Sequence, residues 1–166
     1  FRGWVKDILL AIVISFLMVV FLYQPVKVEG TSMQPELLDQ ERIVVNKFVY
    51  HFEGIQRGDI VVFWYPKDPS KSFIKRVVGV PGDVIQIKDG QVYVNGQLLQ
   101  ERYVPTGYQD LDSYAPIRVK EGFYYVLGDH RNASNDSRSW GLVPRKYIYG
   151  KAVFRYWPVD KAGFLG

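Results

Sequence analysis

Apolar positions run unbroken from Ile8 to Tyr23 (ILLAIVISFLMVVFLY) and then fall into short stretches separated by Gly, Pro, Asp and Asn. The uncharged run predicts a helix. Its sixteen residues span about 24 Å, slightly short of a hydrocarbon core of about 30 Å. Trp4 and Tyr23 bracket the run as interfacial anchors do, and Lys6 can snorkel, so including Trp4 to Ile8 gives a spanning length. The run is apolar all round, and no other segment is helical enough to enclose it as a core helix. It ends in Gln24-Pro25-Val26-Lys27-Val28-Glu29, which lacks the small-residue A-x-A pattern of a cleavage site. Residues 1–25 therefore read as an uncleaved transmembrane signal anchor. Arg2 and Lys6 precede the span, Asp7 partly offsets them, and Lys27 follows. This weak bias places the N-terminus in the cytoplasm and the rest of the chain outside.

From Val26 onward the pattern changes to strands and turns. RIVVNKF (Arg42 to Phe48), DIVVFWY (Asp59 to Tyr65) and FIKRVVGV (Phe73 to Val80) are short apolar strands. Asp83 to Ile87 and Gln91 to Asn95 flank Lys88-Asp89-Gly90, a hairpin signal, and Asn95-Gly96 is a second turn of the same chemistry. GFYYVLG (Gly122 to Gly128) and AVFRYW (Ala152 to Trp157) complete the strands. Only Leu37-Leu38 and Pro144 to Ile148 suggest short helical turns. The least regular stretch, Arg102 to Arg118, reads as a flap or mobile loop. The expected architecture is mostly β: a coiled, partly closed antiparallel β-sheet domain over residues 26–166, preceded by one N-terminal transmembrane helix. Residues 84–127 are expected to form a small insertion or flap.

Composition narrows the chemistry. Twelve Tyr and ten Phe favour strands, and fifteen Gly with nine Pro favour many turns. The net charge of +4 is not concentrated in a basic stripe, so nucleic acid is not an expected partner, while weak attraction to an anionic lipid bilayer is. The chain has no Cys, which excludes zinc-thiolate sites, disulfides and thiol nucleophiles. His51 and His130 are far apart in sequence, so an all-histidine metal site is not expected.

Three segments carry candidate chemistry. Ser32 lies in Gly30-Thr31-Ser32-Met33-Gln34-Pro35, a bend that can present a hydroxyl and turn the Ser32 N–H towards a bound carbonyl. Taken alone, it reads as an ordinary turn serine. Lys75 lies on a strand between Phe73 and Val77 on one face, with Ile74, Arg76 and Val78 on the other. A lysine desolvated there has its pKa lowered and can act as a general base, which an arginine cannot. Alone, it reads as a snorkelling surface lysine on an edge strand. The third segment is the polar loop Gly128 to Arg138. It is an Asx-rich turn in which Asp136 and Arg138 can pair and Ser134 can offer a hydroxyl to a catalytic group.

Together these segments resemble the type I signal peptidases, bacterial serine proteases with a Ser–Lys dyad. The family's Ser-Met-x-Pro-Thr box corresponds to Ser32-Met33-Gln34-Pro35-Glu36. Its Arg-Gly-Asp box corresponds to Arg57-Gly58-Asp59 followed by Ile60-Val61-Val62. Its lysine box corresponds to Lys75 to Asp83, and its last box to Gly128 to Arg138. All four occur in the family's order after a membrane segment. The resemblance implies Ser32 as nucleophile and Lys75 as general base. Ser134 would hydrogen-bond the lysine, and Asp136 with Arg138 would support that serine. Val26, Val28, Met33 and Ile74 would contact substrate. It implies cleavage of signal-peptide-bearing preproteins after small residues at positions −1 and −3, at the outer face of a bacterial plasma membrane, without metal or cofactor. Four positions depart from the pattern: Glu36 for Thr, His130 and Ala133 for Asn, and Gly30 where some members place an oxyanion-hole Ser. Two other readings stay open on the residues alone. One is a Ser-His-Asp hydrolase using His130 with Asp129 or Asp136. The other is a tethered β domain that binds exported chains without cutting them.

Overall fold

The structure, a computed structural model, describes residues 2–166; Phe1 lies outside the described residues. The apolar run forms helix α1, Arg2–Leu22, which starts earlier than the uncharged stretch and buries none of its side chains against the rest of the protein. At 21 residues and a mean hydropathy of 2.6 over its most apolar window, it is long and apolar enough to cross a membrane. The Leu22 carbonyl, unpaired at a helix C-terminus, accepts the Lys47 N–H at 2.9 Å. Strand β1 (Tyr23–Lys27) follows with no linker.

The remaining chain forms two antiparallel sheets. In the larger, β1 pairs with β2 (Arg42–Asn46), placing Val26 opposite Ile43. Strand β11 (Ile148–Trp157) lies between β2 and β3 (Ile60–Tyr65), and β3 pairs with β4 (Asp68–Gly79). Beyond β4 come β9 (Phe123–Leu127) and the short β10 (Val143–Pro144), while β12 (Gly163–Phe164) pairs with β11. The strand order runs from edge β1 to edge β10, so the sheet is open. The smaller sheet has the order β7 (Gln97–Leu98), β6 (Gln91–Val94), β5 (Val84–Lys88), β8 (Tyr114–Arg118). The mostly β expectation therefore holds. The small sheet occupies residues 84–118, and β9 belongs to the large sheet.

The segment expected to be a flap is an ordered part of the fold. Within Arg102 to Arg118 the structure has a one-turn 3-10 helix at Thr106–Tyr108 and strand β8, which pairs with β5. Strand β4 also begins five residues before the predicted Phe73, at Asp68. Pro69, Ser70, Lys71 and Ser72 are polar or β-breaking, and those positions are exposed, so no apolar alternation marks them.

Burial of the strand faces produces three packed clusters. Val28, Met33, Leu37, Ile43, Val45, Ile60 and Val62 pack under β1 and β2. Val61, Phe63, Val77, Tyr124 and Val126 pack on the other side of the large sheet. Val78, Ile85, Ile87, Val92, Tyr125 and Leu127 join the two sheets.

Candidate active site

Ser32 is presented by a turn fixed on all sides. Gly30 adopts φ 91°, a left-handed conformation that favours glycine, and its N–H donates to Asp39 Oδ1 at 2.7 Å. Beyond the serine, the Gln34 N–H donates to the Thr31 carbonyl at 3.1 Å and the Leu37 N–H to the Met33 carbonyl at 2.9 Å. Met33 and Leu37 are buried in the core beneath. Their burial anchors the turn, so the Ser32 side chain stays at the surface while its neighbour points inward. The Ser32 N–H donates to no group among the described residues.

Lys75 comes from the middle of β4, opposite Val61 of β3. It is 4% exposed, and its Nζ is 2.8 Å from Ser32 Oγ and 3.2 Å from the Ile74 carbonyl oxygen. The Phe73 ring covers the ammonium group at 5.0 Å. Burial lowers the pKa of Lys75 to about 8, although the negative charges of Asp136 and Asp129 partly oppose that shift. The neutral amine can thus accept the Ser32 hydroxyl proton while its own N–H donates to the Ile74 carbonyl.

The loop from Gly128 to Arg138 closes the site from behind. Asp136 is fully buried and caps helix α2 (Ser137–Trp140) by accepting the Arg138 N–H. It also accepts the Gly128 N–H at 3.1 Å and the Arg138 guanidinium at 2.9 Å. The expected Asp136–Arg138 pair is therefore present, and it spans both ends of the loop. The Ser134 hydroxyl is buried with no hydrogen-bond partner among the described residues, so the expected bond to Lys75 is not formed here. Ser134 packs against Gly128, where a Cβ would collide with Ser134 Oγ and with the Ser32 carbonyl oxygen.

An open groove of ≈ 420 Å³ runs past the two residues. Val26, Val28, Met33 and Ile74 line it together with Ser32 and Lys75; Ser134, Asp136 and Arg138 do not line it, although Ala133 and Asn135 of the same loop do. Val62, Phe73 and Tyr149 add apolar wall, and the Tyr149 hydroxyl donates to Ser72 Oγ at 2.9 Å. The groove separates the Val26-to-Met33 segment from the Ser72-to-Lys75 stretch of β4, leaving room for an extended chain between two backbones.

Several neighbours escaped the sequence reading. Arg76 is almost fully buried and binds Asp129 with two hydrogen bonds, at 2.9 and 2.7 Å. Tyr103 stacks over its guanidinium at 3.9 Å. Arg131 pairs with Glu101, and Arg138 pairs with Asp110 at 2.9 Å, so the expected flap region grips the loop behind the site. His130 does not meet Ser32 Oγ. Its ring Nδ1 lies 3.0 Å from the Thr31 carbonyl oxygen, so the geometry offers no Ser-His pair. A charged residue in a strand buried on both faces was the available signal for Arg76; nothing local announces its partner 53 residues away.

Comparison with known proteins agrees with this arrangement. The chain matches the family described as signal peptidase, peptidase S26, over residues 1–157. It is 41% identical to signal peptidase I of Leptolyngbya laminosa, the match covering 98% of this chain and 82% of that protein. It is 37% identical to signal peptidase I of Bacillus licheniformis, over 95% of this chain and 89% of that protein. The crystal structure of a signal peptidase I from Enterococcus faecalis superposes with a TM-score of 0.54 at 30% identity, covering 60% of this chain and 97% of that one. With its sequence motifs in order, a buried lysine beside a turn serine and these relatives across nearly its whole length, the chain belongs to the signal peptidase I family.

Proposed function

We propose that this protein is a membrane-bound serine endopeptidase that removes signal peptides from exported preproteins, with Ser32 as nucleophile and Lys75 as general base. The observation that carries the reading is the 2.8 Å approach of Lys75 Nζ to Ser32 Oγ at the wall of an apolar groove. Burial brings the Lys75 pKa down to about 8, so a fraction of the amine is neutral near neutral pH and the fraction grows as pH rises to that value.

Neutral Lys75 takes the Ser32 proton as the oxygen attacks the scissile carbonyl, and the Ser32 N–H holds the developing oxyanion. The protonated lysine then gives its proton to the leaving amine. Water, activated by Lys75, hydrolyses the acyl-enzyme and releases the signal peptide. Asp136 and Arg138 fix the loop behind Lys75, and Ser134 carries a buried hydroxyl in that loop with no hydrogen-bond partner among the described residues. Residues at −1 and −3 of an extended substrate point to the same side. They would face Val26, Val28, Met33 and Ile74, where a shallow wall admits small side chains and excludes large ones. Helix α1 would hold the site at the bilayer, with the N-terminus cytoplasmic and residues 26–166 outside as the catalytic domain. Preproteins threaded through the same membrane would then reach it as neighbours.

Cleavage of a synthetic preprotein by the purified, detergent-solubilised chain tests this. Wild-type protein is expected to cut after a small residue at −1, while folded Ser32→Ala and Lys75→Ala variants lose cleavage by at least a thousandfold, as removal of a catalytic group does. Substantial turnover by either variant rejects the dyad. Binding of preprotein without any cleavage by the wild type would instead favour a tethered binding domain.

A further inference from the structure

His130 contacts the peptide group that carries the Ser32 N–H. Its backbone N–H donates to the Ser32 carbonyl oxygen at 3.0 Å, and its ring Nδ1 lies 3.0 Å from the Thr31 carbonyl oxygen. One residue of the rear loop therefore binds the carbonyls on both sides of the Ser32 Cα. The Thr31 carbonyl also accepts the Gln34 N–H at 3.1 Å. That carbonyl belongs to the Thr31–Ser32 peptide group, and a trans peptide points its N–H opposite to its C=O. Two donors on the oxygen side thus leave the Ser32 N–H directed away from them, with no acceptor among the described residues.

We propose that His130 is a positioning residue for oxyanion stabilisation: its Nδ1–H orients and polarises the Thr31–Ser32 peptide so that the Ser32 N–H is set for the oxyanion. The inference rests on Ser32 being the nucleophile. A carbonyl oxygen only accepts, so the ring must carry its proton on Nδ1. Hydrogen bonds in a chain polarise one another, so a donor on the Thr31 oxygen strengthens the Ser32 N–H as a donor. The ring is itself held in place, with the Tyr108 ring packed edge-on at 4.8 Å. Gly30 carries no side chain to contribute a second oxyanion donor from that position, so the orientation of the one backbone N–H matters more here. Asparagine places an amide nitrogen the same number of bonds from the backbone as His Nδ1 and can replace the donor.

Kinetics of three variants on a synthetic preprotein, with one spectroscopic measurement, test the assignment. His130→Ala is expected to lower kcat by about tenfold, less than loss of an oxyanion donor itself. Its KM and the acid limb of its pH–rate profile should match the wild type. His130→Asn is expected to restore kcat to within about twofold, since it returns the donor. Nitrogen NMR of the wild-type histidines should show the neutral His130 ring protonated on Nδ1, a readout that stands even if His130→Ala fails to fold. A wild-type kcat in His130→Ala, a loss carried by KM, an Asn variant as slow as the Ala variant, or a ring protonated on Nε2 would each overturn the inference. Ser32→Ala, assayed alongside, separates the two levels: if it is active, the nucleophile is wrong; if it is inactive while His130→Ala is unimpaired, only the role of His130 falls.

Discussion

Lys75 is held where a charge is poorly tolerated, and stability and catalysis draw opposite consequences from that. Its pKa of about 8 in the fold lies below the ordinary 10.5. At pH 7 the amine is therefore protonated in both folded and unfolded chains, and the fold carries the full cost of a buried ammonium. That cost disappears as pH rises from about 8 to 10.5, where the unfolded chain alone still binds the proton. Replacing Lys75 with methionine keeps the volume and removes the charge. The Lys75→Met variant is predicted to be inactive yet more stable at pH 7, by up to about 3 kcal/mol, with the gain gone near pH 10.5. Chemical denaturation in detergent at the two pH values checks this, and an equal or lower stability of the variant at pH 7 would contradict it. Ser32 and Lys75 were legible in sequence because each sits in a local motif, and the desolvation of Lys75 followed from its apolar strand neighbours. The Arg76–Asp129 pair and the His130–Thr31 contact were not legible. They join residues 53 and 99 positions apart, and only the packing of β9 beside β4 and of its loop against the Ser32 turn creates them.

The loop between β9 and α2 is an element built around one carboxylate. Asp136 satisfies the Gly128 N–H where the loop begins and the Arg138 N–H and guanidinium where α2 starts. Asp136→Ala removes the cap and leaves a buried arginine facing one fewer partner, so a loss of about 3 kcal/mol is expected, together with a fall in cleavage. Asp136→Asn retains an acceptor and is expected to lose less. Thermal unfolding of both variants measures this, and an unchanged melting temperature in Asp136→Ala would refute it. The sequence announced the Asp136–Arg138 pair because both lie in one polar run. It did not announce that Glu101 and Asp110 bind Arg131 and Arg138 across 30 and 28 residues. Arg102 to Arg118 read as irregular because β8 contains Pro116 and a register shift against β5, so its two inward residues do not alternate. Tyr114 and Ile117 nevertheless pack against the small-sheet core, and that packing orders the segment.

At the scale of the whole molecule, the anchor and the groove are continuous. Helix α1 ends at Leu22, β1 begins at Tyr23, and Val26 already lines the groove. The switch from an unbroken apolar run to short alternating stretches made this division legible from sequence. The open strand order and the separate small sheet required the structure, because pairing between β11 and both β2 and β3 is set by contacts about a hundred residues apart. Because helix α1 leads directly into the groove, the proposed activity is best assayed with preprotein and enzyme in one bilayer. The most direct measurement is the pH dependence of kcat/KM for preprotein cleavage in proteoliposomes. A general base with a pKa of about 8 predicts a rate that falls about tenfold per unit on the acid side of that value, as the amine becomes protonated. The slope should be independent of His130. A profile flat from about pH 5 to pH 9 would contradict a catalytic Lys75 tuned by burial.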